Sequence, residues 1–177
     1  MKLMLIIHSV QKLLNTSRLE ASLHITQPNQ GQQLHSWYAR LLSSSFPGKM
    51  MVMFVHEPSL MVVICKGKTI RGTWETFLNR LEQLLSRFRF QESFIKSELS
   101  QAEGYTVSKT SSKSMLSSMN QIVFELEYYC RRFPSFDTIE LNFLEDRMMD
   151  RLHQTGKKQM DYLTPLEYWR REIGVAQ

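Results

Sequence analysis

Met50-Met51-Val52-Met53-Phe54-Val55-His56 and Leu60-Met61-Val62-Val63-Ile64-Cys65-Lys66 are two apolar runs of strand length, joined by Glu57-Pro58-Ser59. A short polar break containing proline, set between runs rich in valine and other strand-forming residues, predicts a β-hairpin. Successive side chains of a strand point to opposite faces. Both runs are apolar at neighbouring positions, so these strands are expected to be central or covered on both sides.

On the N-terminal side of the hairpin, Leu34 to Leu42 reads as a further strand. His35, Trp37, Ala39 and Leu41 fall on one face; Ser36, Tyr38 and Arg40 fall on the other. Ser43-Ser44-Ser45-Phe46-Pro47-Gly48 supplies the turn between them. Leu3 to Ile7 is a first strand, and Ser9 is expected to cap a short helix through Asn15. Gln27-Pro28-Asn29-Gln30-Gly31-Gln32-Gln33 is the clearest loop in the chain.

On the C-terminal side, Trp74, Phe77, Leu78, Leu81, Leu84, Leu85 and Phe88 recur at helical spacing and predict an amphipathic helix over 73–88. A second helix is expected over 91–102, ended by Gly104, and a short strand over 105–110. Met115, Met119, Ile122, Leu126 and Tyr129 then mark one face of a helix that stops before Pro134. Asp137-Thr138-Ile139-Glu140 and Thr164-Pro165-Leu166-Glu167 both have the form of a capping box. The first is expected to open a helix to about His153, ended by Gly156, and the second a short final helix with proline in its first turn. The resulting expectation is an α+β fold: an antiparallel sheet of about four to five strands, helices segregated to one side, and a helical C-terminal region. Residues 1–153 are expected to form the α+β domain, and residues 154–177 a linker and short C-terminal helix.

The chain has 177 residues, 42% of them hydrophobic, enough for a core without disulfides or metal and too apolar for whole-chain disorder. Cys65 and Cys130 read as buried hydrophobes in a reducing compartment. The N-terminal apolar run ends at His8, too short for a secretory signal, and no run reaches the 18 apolar residues of a membrane span, so no membrane association is expected and the reading is cytoplasmic. His8, His24, His35, His56 and His153 lack ligand spacing, so neither a metal nor another cofactor is expected. The net charge is +5. Residues 1–100 carry 12 Lys+Arg against 6 Asp+Glu; residues 101–177 carry 10 against 11. A basic first half fits attraction to nucleic acid.

Leu34-His35-Ser36-Trp37-Tyr38-Ala39-Arg40-Leu41, the hairpin, and the segment from Lys109-Thr110 through Ser114-Met115-Leu116-Ser117-Ser118-Met119-Asn120 resemble a family of small bacterial proteins of unknown function. Its members share a W-Y-A-x-L strand and a K-T-x-x-x-S-x-L-G-S-M-N segment opening a helix. The likeness covers roughly residues 3–130. Ser117 stands where the pattern has glycine. The resemblance implies a prokaryotic protein of the accessory genome and carries no activity.

From the residues themselves, the strongest binding candidate is Lys109, Thr110, Ser111, Ser112, Lys113 and Ser114. This segment places two lysines and a series of hydroxyls at a strand-to-helix junction, where free amides and the helix dipole attract anions. The glycines of a P-loop are missing. Tyr38 and Arg40 are a second, surface-binding candidate, on the strand face opposite Trp37. No catalytic residue is assigned, because no nucleophile elbow or Cys-His arrangement occurs. Arg147 and His153 resemble the R-x-x-x-x-x-H motif of helical ribonucleases of the HEPN class. The first functional reading is a non-enzymatic binding module for nucleic acid or a phosphate-bearing ligand. The alternatives are a small phosphate-chemistry enzyme such as a ribonuclease, and a protein-interaction or oligomerisation module, which leaves a homo-oligomer open.

Overall fold

The structure is a computed structural model and describes residues 4–23, 31–154 and 162–177. The start of the expected Gln27–Gln33 loop, Gly156 and most of the expected linker lie outside the described residues. The fold is α+β, with a five-stranded mixed sheet, six helices among the described residues, and a helix near the C-terminus.

The strands are β1 (Met4–Ser9), β2 (Ser36–Ser43), β3 (Met50–His56), β4 (Val62–Lys66) and β5 (Gly104–Lys109), in the spatial order β4-β3-β2-β1-β5. The expected hairpin is β3–β4, antiparallel, with Phe54 opposite Val63. β2 is antiparallel to β3. β1, however, runs parallel to both β2 and β5. The sheet is therefore mixed rather than antiparallel throughout. The reason is the helix α1 (Gln11–Ser17) between β1 and β2: a helical crossover returns the chain in the same direction, where a tight turn would reverse it. Val10, not Ser9, stands at the cap of α1; the Ser9 hydroxyl donates to the Val10 carbonyl instead.

Helices cover both faces of the sheet, not one side as expected. Trp37, Ala39, Val52, Phe54, Val63 and Cys65 pack against Trp74, Phe77, Leu81 and Leu85 of α2 (Ile70–Arg87). Ile95 of α3 (Glu92–Ser100) joins the same cluster. Tyr38, Met51, Met53, Val62 and Ile64 face the other way, onto Met115, Met119, Ile122 and Leu126 of α4 (Lys113–Cys130). The two-faced apolar pattern of the hairpin requires this arrangement, since one helical layer buries only alternate residues. The α4 stripe read from the sequence is buried from Met115 to Leu126, but Cys130 rather than the half-buried Tyr129 completes it.

β4 is a sheet edge, and α5 (Leu141–Met149) covers it. The Ile64 N–H donates to Glu145 Oε1 at 2.9 Å, so a side chain takes the place of a neighbouring strand. Arg80 and Arg87 of α2 hold the same carboxylate at 2.7 and 3.1 Å. The Asp137–Glu140 capping box does not form. Thr138 donates to the Ser135 carbonyl in a turn, and α5 starts at Leu141, three residues later than an Asp137 cap would place its first residue, with Glu140 at the cap.

α5 ends at Met149, and His153–Gln154 (β6) pairs instead with Tyr162–Leu163 (β7). The second capping box does form, opening α6 (Pro165–Tyr168): Glu167 N donates to Thr164 Oγ1 at 3.0 Å, and Thr164 N to Glu167 Oε2 at 2.9 Å. The following turn, Trp169–Ile173, buries Trp169 against His56, Phe90 and Phe94. This brings the C-terminal segment to the end of the sheet where β3 turns into β4.

Candidate functional site

Three parts of the chain meet at that end of the sheet: the β3–β4 turn, the first turns of α4, and the C-terminal residues His153–Gln154 and Leu163–Glu172. Between them lies a cleft of about 550 Å³, lined by Glu57, Leu60, Ser112, Ser114, Ser118, His153, Tyr168 and Glu172 among others. Its size lies within the range of small-molecule sites.

The wall from α4 begins with Ser112, whose hydroxyl caps the helix by accepting from Met115 N at 3.2 Å. The remaining amides of the first turn lack intrahelical acceptors, so this wall carries the positive end of an 18-residue helix. Ser114 and Ser118 recur one turn apart on the same flank. Behind the cap, Ser111 and Ser112 lie close enough to the Tyr38 hydroxyl to affect its ionisation. Burial, with the Glu57 carboxylate, raises the Tyr38 phenol above its ordinary range, and the two serines oppose that shift. The Tyr38 ring stacks on His8 at 4.6 Å between ring centres. Burial keeps His8 below the ordinary histidine range, against the opposing pull of Glu57 and the Lys109 backbone.

On the wall from the β3–β4 turn, Glu57 accepts from the Ser36 hydroxyl at 3.2 Å. Leu60 holds a left-handed backbone at φ 60°, rare for a branched aliphatic residue and a place where strain is stored. On the C-terminal wall, His153 is only 9% exposed, and neither ring nitrogen has a hydrogen-bond partner among the described residues. Burial holds His153 below the ordinary histidine range; the nearby Arg151 backbone pulls the other way and the Arg151 charge adds to the lowering. A neutral imidazole with one donor and one acceptor thus stands beside the helix start.

The structure distributes the sequence candidates unevenly. Ser112 and Ser114 line the cleft, whereas Lys109 and Lys113 are exposed and outside it, and Thr110 and Ser111 belong to the loop leading to the cap. Tyr38 is 2% exposed, so the expectation of an accessible surface ring is corrected: α4 covers the face on which it lies. Arg40 is half-buried and donates to Asn120 Oδ1. Arg147 donates to the Tyr129 hydroxyl at 3.1 Å, and His153 lies beyond the end of α5, so the helical context of the ribonuclease motif is not met. Sequence reasoning missed Glu57 and His153 as partners of the helix start. Only the Thr164 capping box hinted that an ordered segment returns after residue 153.

The family model of a domain of unknown function, DUF6933, matches residues 6–168. The chain belongs to this family. The DUF6933 match takes in the five-stranded sheet apart from Met4 and Leu5 and runs past the likeness seen at residues 3–130, through α5 and α6, so it takes in all three walls of the cleft except Glu172. No curated protein and no solved structure matches the chain. Among the described residues, no group of three or more His, Cys, Asp or Glu could hold a metal ion, and no helix is long and apolar enough to cross a membrane.

Proposed function

We propose that this protein is a non-enzymatic binding module for a phosphate-bearing small molecule, seated in the cleft at the start of α4. The observation that carries the reading is the convergence of the Ser112-capped helix start, Ser114, Ser118 and a buried His153, without a hydrogen-bond partner for its ring among the described residues, on one cleft of about 550 Å³. The phosphate sits against the first-turn amides and the serine hydroxyls, since those donors and the helix dipole favour an anion. Glu57 and Glu172 line the other walls, so the remainder of the ligand presents hydrogen-bond donors there. Lys109 and Lys113 raise the local potential from outside, Thr110 and Ser111 shape the loop, and none of the four needs to touch the ligand. A concave site with two carboxylates suits a molecule of nucleotide size better than an extended nucleic-acid strand.

Calorimetry with adenosine monophosphate, and with adenosine as the control, tests the reading. Adenosine monophosphate should bind and adenosine should bind much more weakly. Lys109→Ala with Lys113→Ala should weaken the nucleotide while changing stability by less than about 0.5 kcal/mol, because both side chains are exposed. Unchanged affinity in the double variant, or equal binding of the two compounds, would count against a phosphate at this helix start.

A further inference from the structure

We infer a second anion-binding site on the opposite flank of α4, where Arg40, Lys12 and Asn120 meet beyond the carboxyl end of β1. A crevice of about 430 Å³ lies there, on the β2 side of β1 and beneath α4, lined by Val10 and Lys12 after β1, Arg40 and Ser43 of β2, and Asn120 and Glu127 of α4.

The donors in this crevice exceed the acceptors. Arg40 donates one N–H to Asn120 Oδ1, while its Nε–H is buried with no acceptor among the described residues. Asn120, having given its oxygen to Arg40, keeps its amide N–H groups for something else. Neither Arg40 nor Lys12 forms an ion pair among the described residues; the ion pairs found there involve other side chains. Two cations face one carboxylate, Glu127, so the crevice is net positive. A guanidinium held in place by an amide, with a second cation beside it, recognises a tetrahedral oxyanion, either free or at the end of a larger molecule.

Residues 116 and 120 fall about 200° around the helix from 114 and 118, so this site is independent of the cleft on the other flank. It also accounts for Arg40, which the cleft does not use, and Arg40 and Asn120 lie in the two segments that carried the family resemblance.

Nuclear magnetic resonance of arginine side chains tests the assignment with inorganic phosphate as the probe, titrated against chloride at constant ionic strength. The Arg40 Nε–H signal, assigned by its absence in Arg40→Lys, should shift and saturate with phosphate but not with chloride. Lys12→Gln should weaken the response by about tenfold, the scale expected for one charge-assisted hydrogen bond. Glu127→Gln should strengthen it, and Ser112→Ala with Ser114→Ala should leave it intact. Lys12 is exposed, so its variant is not expected to disturb folding. A response that never saturates, that chloride reproduces, or that Lys12→Gln leaves unchanged overturns the site. Loss of the response in the serine variant assigns the phosphate to the first cleft and likewise overturns it. Failure of nucleotide binding at the first cleft, with the Arg40 response intact, would refute the proposed function alone.

Discussion

Glu145→Ala should lower unfolding stability by roughly 3–5 kcal/mol, the range seen when one partner of a buried charge pair is removed. Glu145 is fully buried and satisfies three groups at once: the edge-strand amide of Ile64, Arg80 on α2 and Arg87 on α2. Burial pushes its carboxyl above the ordinary carboxylate range, and Arg80, the Ile64 amide and Arg87 pull it back. Without the carboxylate, the Ile64 N–H stays buried without its acceptor. Arg80, 15% exposed along its side chain, loses its carboxylate, while Arg87 keeps Asp146 at 2.9 Å. Glu145→Gln should cost less, because its oxygen can still accept from Ile64 or Arg80. Denaturant unfolding of both variants reads the difference. A loss under about 1 kcal/mol for Glu145→Ala would mean that the edge of β4 does not depend on this carboxylate.

The second large effect is on acid stability. His56 is fully buried, packed between the tilted rings of Trp37 and Trp169 at ring-centre distances of 5.1 and 5.2 Å. Its Nε2 faces the Gln33 carbonyl at 2.8 Å and therefore carries the hydrogen, leaving Nδ1 to accept from the Ser59 hydroxyl at 2.7 Å. Burial lowers its pKa to about 3, with the Gln33 carbonyl opposing and His35 adding slightly to the lowering. The unfolded chain protonates this residue near pH 6.5, while the folded chain resists until about pH 3. Between those values the unfolded state holds more protons, so stability rises with pH and falls as the solution is acidified. The slope from His56 is roughly 1.4 kcal/mol per pH unit. His8 and His153, also held below the ordinary range, add in the same direction. Stability should therefore drop clearly between pH 6.5 and 5, before most carboxylates titrate. His56→Gln should remove about one proton's share of that slope, whatever its own stability. A flat profile from pH 7.5 to 5 would contradict the buried neutral state.

The same residues mark where the sequence was readable. The hairpin, α2 and the α4 stripe were legible because each is written in a local period: strand-length runs in one case, helical spacing in the others. The direction of β1 was not, because a short apolar strand has no local mark for parallel or antiparallel pairing; that depends on the crossover after it. Tyr38 was placed on the correct face, but alternation along a strand does not say whether a distant helix covers that face. Glu145 was not singled out in the sequence, although Leu144, Met148 and Met149 flank it at the spacing of a buried stripe. At the candidate site, Ser112 and Ser114 were legible as a helix start. Glu57 and His153 come from 55 residues before and 41 residues after Ser112, and only tertiary folding joins them.

A crystal structure of the protein with saturating adenosine monophosphate would show whether a phosphate group is held at the start of α4. Phosphate oxygens should lie within hydrogen-bond distance, about 2.7–3.2 Å, of the Ser114 amide and the Ser112 or Ser114 hydroxyl, with the nucleoside reaching toward Glu57 and Glu172. A nucleotide bound elsewhere on the molecule, or a cleft with no nucleotide in it at saturating concentration, would contradict this placement.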